Sequence, residues 1–353
     1  MRGTAVRAGA GPPQMTALRP RQIRPNACRH LGTGARKDHG PHMTTAYYTH
    51  PDGYTHVNPP GHPEQVARLK AIEAALSAPG FAALDRRAAP LGQIEAIRRA
   101  HPQVYVDSIR DNIPDEGWVQ VDPDTALSPG SWNAGLRAVG GVTSAIDAVL
   151  DGEVANAFVG MRPPGHHAKR AQAMGFCLFA NAAIGALHAL EVHGLDRVAI
   201  LDFDVHHGNG TQDVLWNESR IHFASTHQMP LFPGTGAAHE RGAYLQVKNV
   251  PLREGTGGPE MQDAWDGQIF PWLAEWKPEL IIVSAGFDAH QRDPLAGLHW
   301  TTEDFGWITD RICDLAADCC GGRVVSTLEG GYDLEALAES VGLHVEVLME
   351  RGA

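Results

Sequence analysis

From residue 44 onward, short apolar runs alternate with longer stretches in which apolar residues recur every three or four positions. The longer spacing predicts helices over 63–77, 132–150, 180–192, 260–276, 303–318 and 334–349. The short runs at 155–161, 198–205, 222–225, 280–284 and 324–328 are bounded by turn residues, the pattern of strands buried on both faces. Strand and helix in alternation imply an α/β fold, a mostly parallel central sheet with helices on both sides. No long linker interrupts the alternation and no segment repeats, so 43–353 reads as one catalytic-size domain.

Length agrees, since 353 residues suit one large α/β domain. Residues 1–42 stand apart: they hold eight Arg and Lys against one Asp and show no hydrophobic periodicity. They read as a basic, disordered extension ahead of a domain opening at Met43, with a transit peptide as the alternative. The net charge of −12 therefore understates the acidity of the body. Such a body excludes phosphate-tracking nucleic-acid grooves and would attract cationic partners. No apolar run approaches the ~20 residues of a membrane span, so no membrane partner is expected either. Five Cys, including the adjacent pair Cys319-Cys320, make no disulfide framework and read as reduced thiols, which points to the cytoplasm. A homo-oligomer stays open.

The chemistry lies just beyond the end of each predicted strand. The first runs into Arg162-Pro-Pro-Gly-His-His167, the second into Asp204-Val-His-His-Gly-Asn-Gly-Thr211 and the third into Ser225-Thr-His227. The fourth gives Ala285-Gly-Phe-Asp288 and the fifth Glu329-Gly-Gly-Tyr332. Ligand sites of open parallel sheets lie beyond the carboxyl ends of the strands, so these clusters converge on one rim. On an extended chain Asp202, Asp204 and His206 share a face. Two carboxylates and an imidazole there resist burial unless a cation or hydrogen bonds compensate. With Asp288 as a third ligand, Asp204 and His206 would hold a metal and leave a position open, as catalytic zinc sites do. Fe(II) accepts the same ligand types. His166 and His167, in a rigid turn at the same rim, suit general base and general acid work, with Asp202 free to orient one imidazole. Tyr332, brought in by two glycines, could donate a hydrogen bond to a developing oxyanion. His188, His193 and His344 lie on or beside helical stretches and read as surface or packing residues, and Cys177 as buried and inert.

These motifs, together with Gly175-Phe-Cys-Leu-Phe179 and Phe232-Pro-Gly-Thr-Gly236, resemble in order and over about 47–349 the zinc-dependent histone deacetylase family. Its superfamily includes acetylpolyamine amidohydrolases and acetoin-utilisation proteins. The resemblance implies the arginase/deacetylase fold with about eight strands, and zinc on Asp204, His206 and Asp288. It makes His166 and His167 the histidine dyad, with His167 the general base and acid and Asp202 supporting His166. Asn209 stands where many members carry an aspartate behind the second histidine. Tyr332 becomes the oxyanion donor, Phe176 and Phe232 the walls of an acyl-lysine channel, and Gly175 a substrate contact. Asp202, Asp204, His206 and Ser225 match an inner monovalent-cation site, such as one for potassium. The implied reaction is hydrolysis of an acylated lysine or other acylated amine. An acetylpolyamine deacetylase shares every one of these catalytic residues, while a catalytically silent acetyl-lysine binder would lack the dyad or the tyrosine. Arginase-like ureohydrolases need additional Asp ligands that are missing here.

Overall fold

The computed structural model describes residues 44–353; the expectation for the basic segment falls outside them. In chain order the strands are β1 (Thr45–Thr49), β2 (Asp85–Ala88), β3 (Val119–Asp122), β4 (Thr125–Leu127), β5 (Asn156–Val159), β6 (Val198–Asp202), β7 (Ile221–Gln228), β8 (Val247–Leu252), β9 (Leu280–Ala285) and β10 (Val324–Leu328). The helices are α1 (Ala67–Leu76), α2 (Ile94–Ala100), α3 (Gln103–Asp111), α4 (Ser131–Leu150), α5 (Asn181–His193), α6 (Asn209–Leu215), α7 (Gly258–Ala264), α8 (Phe270–Trp276), α9 (Thr302–Cys320) and α10 (Leu334–Gly352).

Eight strands form one sheet in the order β2-β1-β5-β10-β9-β6-β7-β8, and every pairing in it is parallel. Strands β3 and β4 make a separate antiparallel hairpin. The central strands divide their side chains between two cores with period two, as a sheet covered on both faces requires. Val198, Ile200, Leu280, Ile282 and Val325 pack with α2, α3, α4 and α5. Ala199, Leu201, Ile281, Val283 and Val324 pack with α1, α7, α8, α9 and α10. Fully burying each Val, Leu or Ile among them contributes roughly 1.5–3 kcal/mol, so the sheet centre contributes strongly to the stability of the fold.

The expected helix over 260–276 is interrupted. A π-helical turn, Trp265–Ile269, separates α7 from α8. Pro271, which has no N–H to donate to an α-helical ladder, accounts for the break. Strand β7 runs three residues further than the apolar pattern suggests, and β1, β2 and β8 have no counterpart among the periodic runs.

Register then sets the site. In the ladder Asp202 lies opposite both Ser225 and Ser284, Ser284 opposite Thr327, and Thr327 opposite Val159. Four neighbouring strands, β5, β10, β9 and β6, therefore finish within a residue of one level, with β7 running three residues beyond it, and the loops that leave the four start side by side.

Candidate active site and metal centre

The loops after β6 and β9 bring three ligand-type atoms together. His206 Nδ1 stands 3.1 Å from Asp204 Oδ1 and 3.2 Å from Asp288 Oδ2, and all three residues are buried. Ligands about 2.0–2.2 Å from one tetrahedral ion would stand roughly 3.3 Å apart, so the trio needs little rearrangement to bind one. The electrostatics agree. Asp202, Asp204, Asp288, Asp293 and Glu329 are buried within the same region. Burial opposes a charge on His206, yet Asp204 and Asp288 outweigh it and lift the imidazole to about 10. Burial together with the repulsion of Asp204 raises the Asp288 carboxyl. Burial likewise raises Glu329 to about 7. A surplus of buried carboxylates is a place that calls for cations.

Glycines let the backbone reach this centre. Gly330 N–H donates to Asp204 Oδ2 at 2.8 Å, and a Cβ at Gly330 would overlap the carboxylate of Asp288. The backbone N–H of Val205 donates to Asp288 Oδ1 at 3.0 Å. Both carboxylates are thus aimed by main-chain donors that cannot titrate.

The two histidines differ in their partners. His166 Nδ1 lies 3.0 Å from Asp202 Oδ2, and its Nε2 lies 3.7 Å from Asp204 Oδ2. Although burial works against it, the carboxylates of Asp204, Asp202 and Glu329 hold its pKa well above the ordinary value. His167 Nδ1 donates to Asn209 Oδ1 at 2.7 Å, which leaves the opposite ring nitrogen as a lone-pair acceptor. Burial, then the charges of His166 and His206, push the His167 pKa well below its ordinary value. The adjacent rings, 4.0 Å apart, are thus pushed in opposite directions, His166 toward its charged form and His167 toward its neutral one.

A cavity of about 210 Å³ opens onto them, lined by Asp124, His167, Gly175, Phe176, His206, Leu231, Phe232, Leu295 and Tyr332. Phe232 packs edge-on to His167 at 5.1 Å, and Phe176 edge-on to Tyr332 at 5.9 Å. Burial first, and Asp288 next, keep the Tyr332 phenol protonated far above neutrality. The turn carrying Phe176 is held in the left-handed region at both Gly175 and Phe176, with φ of 57° and 68°. Gly175 has a second constraint, because a Cβ there would overlap the imidazole of His167. Gly175→Ala is expected to cost about 1–3 kcal/mol of stability and to lower turnover by displacing His167, both read from a thermal melt and an activity assay on one preparation.

The structure brings together every residue that the sequence reading placed on the metal, the dyad and the channel. Ser225 lies across the ladder from Asp202, with its hydroxyl 2.9 Å from His227 Nδ1. His344 is a buried packing residue between Thr309 and Ser326. Cys177 is fully buried.

Several contributors were not anticipated. Arg68 donates to the carbonyls of Gly331 and Glu329 at 2.6 and 2.5 Å and lies 5.0 Å from the centre of the Tyr332 ring. Arg68 and Arg162 both pair with Glu64, and all three are fully buried. Burial alone would raise Glu64, but Arg162 and Arg68 hold it near 2. Glu329 accepts the N–H groups of Gly165 and His166 and so fixes the histidine turn. Glu240 accepts the N–H groups of Gly236 and Ala237, anchoring the loop that carries Phe232. Asp124, Leu231 and Leu295 complete the wall. Two hints among them are visible in the sequence, the four-residue spacing of Glu64 and Arg68 and the acidic segment 111–124 that ends on Asp124.

A parallel eight-stranded sheet whose strand ends gather two Asp, one His and a histidine pair under an apolar shaft defines a hydrolase of the arginase/deacetylase fold. The comparisons with known proteins agree. The model of the histone deacetylase domain matches residues 62–348, and the chain belongs to the histone deacetylase family. An uncharacterised protein of Synechocystis is 42% identical over 290 residues, covering 81% of this chain and 93% of that one. A histone deacetylase-like amidohydrolase of Pseudomonas aeruginosa is 38% identical over 298 residues, covering 82% and 78%. The crystal structure of the HDA15 HD domain superposes with a TM-score of 0.83 at 32% identity, covering 88% of this chain and 89% of that one.

Proposed function

We propose that this protein is a zinc-dependent deacylase that hydrolyses the amide of an acylated lysine side chain. Membership of the family makes it a deacetylase-type hydrolase of acylated amines. The observation that carries the finer reading is the placement of the Asp204, His206 and Asp288 trio beneath a narrow apolar cavity flanked by His167 and Tyr332. A divalent ion held by those three side chains would polarise the amide carbonyl and acidify a water molecule. Asp202, Asp204, His206 and Ser225 would carry a monovalent cation beside it.

The residues themselves divide the work. Phe176 and Phe232 enclose the aliphatic stem of the substrate and exclude bulk water. His167, neutral and with its Nδ1 proton committed to Asn209, takes the proton of the attacking water on its other ring nitrogen. The Tyr332 hydroxyl donates to the oxygen of the tetrahedral adduct as charge develops there. As the C–N bond breaks, the proton held by His167 passes to the departing amine, and a carboxylate and a free amine leave. His166 stays charged against Asp202 and favours the neutral state of its neighbour.

Acetylpolyamines are the second reading. Asp124 is the one carboxylate of the cavity wall outside the metal trio that could meet a second ammonium. Its Oδ1 already accepts from Gly175 N–H and the Thr125 hydroxyl, and Leu231 and Leu295 share the wall with it. This lining favours an uncharged chain. A panel of acetyl-lysine peptides, longer acyl-lysines and acetylated polyamines decides between them. Higher kcat/KM on acyl-lysine peptides is expected, and a preference for acetylpolyamines would replace that reading with the second.

A further inference from the structure

The opposite end of the sheet carries a second constellation of ligand-type side chains. Helices α4 and α5 lead into the beginnings of β5 and β6, so their C-terminal turns lie away from the rim that holds the active site. Asp147 sits on the last turns of α4, and His188 and His193 on the last turns of α5. Both imidazoles aim Nε2 at one atom, Asp147 Oδ1, at 2.6 and 2.7 Å. All three ligating atoms lie within 4.8 Å of one another. No group among the described residues donates to the other oxygen of Asp147, whose side chain is 45% exposed. A surface groove of about 460 Å³ adjoins the cluster and includes Asp147, His188 and Arg99 in its lining.

We propose that Asp147, His188 and His193 form a second metal site, one that takes a divalent transition-metal ion such as Zn²⁺ and ties α4 to α5. One carboxylate and two imidazoles are ligands that suit zinc, and three of them leave a coordination position for water, which the groove has room to supply. Ligand atoms about 2.0–2.2 Å from zinc stand roughly 3.3 Å apart, so the trio must open slightly. Asp147, the more exposed partner at 45% against 12% and 17% for the two histidines, has the freedom to make that adjustment. Arg99 works against the ion. Its Nη1 lies 3.3 Å from His188 Nδ1, and a guanidinium only donates, so in the metal-free state that nitrogen accepts and Nε2 carries the proton. Coordination through Nε2 moves the proton to Nδ1, where it faces Arg99. Removal of the guanidinium therefore favours the metal.

Calorimetric titration of the chelator-stripped full chain with zinc chloride tests the site. Two binding events are expected, the weaker one in the micromolar range. Asp147→Asn and His193→Gln should each weaken that event at least tenfold while leaving the tighter event and deacylase turnover intact. Arg99→Ala should tighten it. The surviving tight event in each variant reports that the chain is folded. A single event in the unmodified protein, or a weaker event untouched by both Asp147→Asn and His193→Gln, overturns the proposal.

Discussion

Replacing His167 by alanine is expected to lower turnover of an acetyl-lysine peptide by about 10²–10⁴-fold, the usual contribution of a positioned general base. Bound metal should change little, because His167 is not one of the three ligands, while the loss of its hydrogen bond to the buried Asn209 Oδ1 is expected to cost about 1–3 kcal/mol of stability. The pH dependence is the sharper part. The base form is the working form, and it exists above the pKa of His167. Burial and the charges of His166 and His206 push that pKa well below its ordinary value, which carries the active range toward acid. A cation on the nearby trio would displace the proton of His206 and push the same way in its place. Turnover of the unmodified enzyme should therefore stay level from neutrality down through pH 6.5 and fall only below it, and the acid limb should vanish from the residual activity of His167→Ala. An acid limb centred above pH 6.5 in the unmodified enzyme would remove His167 from the role.

Tyr332→Phe is expected to lower kcat by about 10²–10³-fold, the range measured for loss of one oxyanion donor. KM should stay near its original value, since the hydroxyl acts where negative charge develops and not on the resting amide. The substitution keeps the ring, and with it the edge contact to Phe176 and the stacking under Arg68. The channel should thus remain intact, and inhibitor or product binding would confirm that it does. A parallel rise in KM would mean that Tyr332 shapes the channel instead of serving the chemistry.

Central strands and catalytic motifs were legible in the sequence for the same reason. Strands β5, β6, β9 and β10 are buried along their whole length and are mostly apolar, so the polar clusters immediately after them stand out. Strands β2 and β8 lie at the sheet edges; β2 reads Asp-Arg-Arg-Ala with alternate exposure, and β8 contains a proline, which edge positions tolerate. Neither yields an apolar run. Strand β1 reads Thr-Ala-Tyr-Tyr-Thr and offers no aliphatic run. The histidine pair and the Asp204, His206 and Asp288 trio follow from strand-end position and from the cost of burying charge. Glu64, Arg68 and Arg162 could not be read in that way. Their partners are backbone carbonyls and carboxylates that only the folded chain brings near, and an arginine that will hold a loop from within looks like any surface arginine. Asp124 and Leu295 reach the cavity on irregular segments, where neither period two nor 3.6 applies.

The central claim is that hydrolysis depends on a cation held by Asp204, His206 and Asp288. Its most direct test is turnover of an acetyl-lysine peptide during stripping with a chelator and stepwise return of zinc, with bound metal measured at each step. Turnover should fall with the loss of the tightly bound ion and return with a single equivalent of zinc, and Asp288→Ala should not be rescued. A fully stripped protein that hydrolyses the peptide at the original rate would contradict the account.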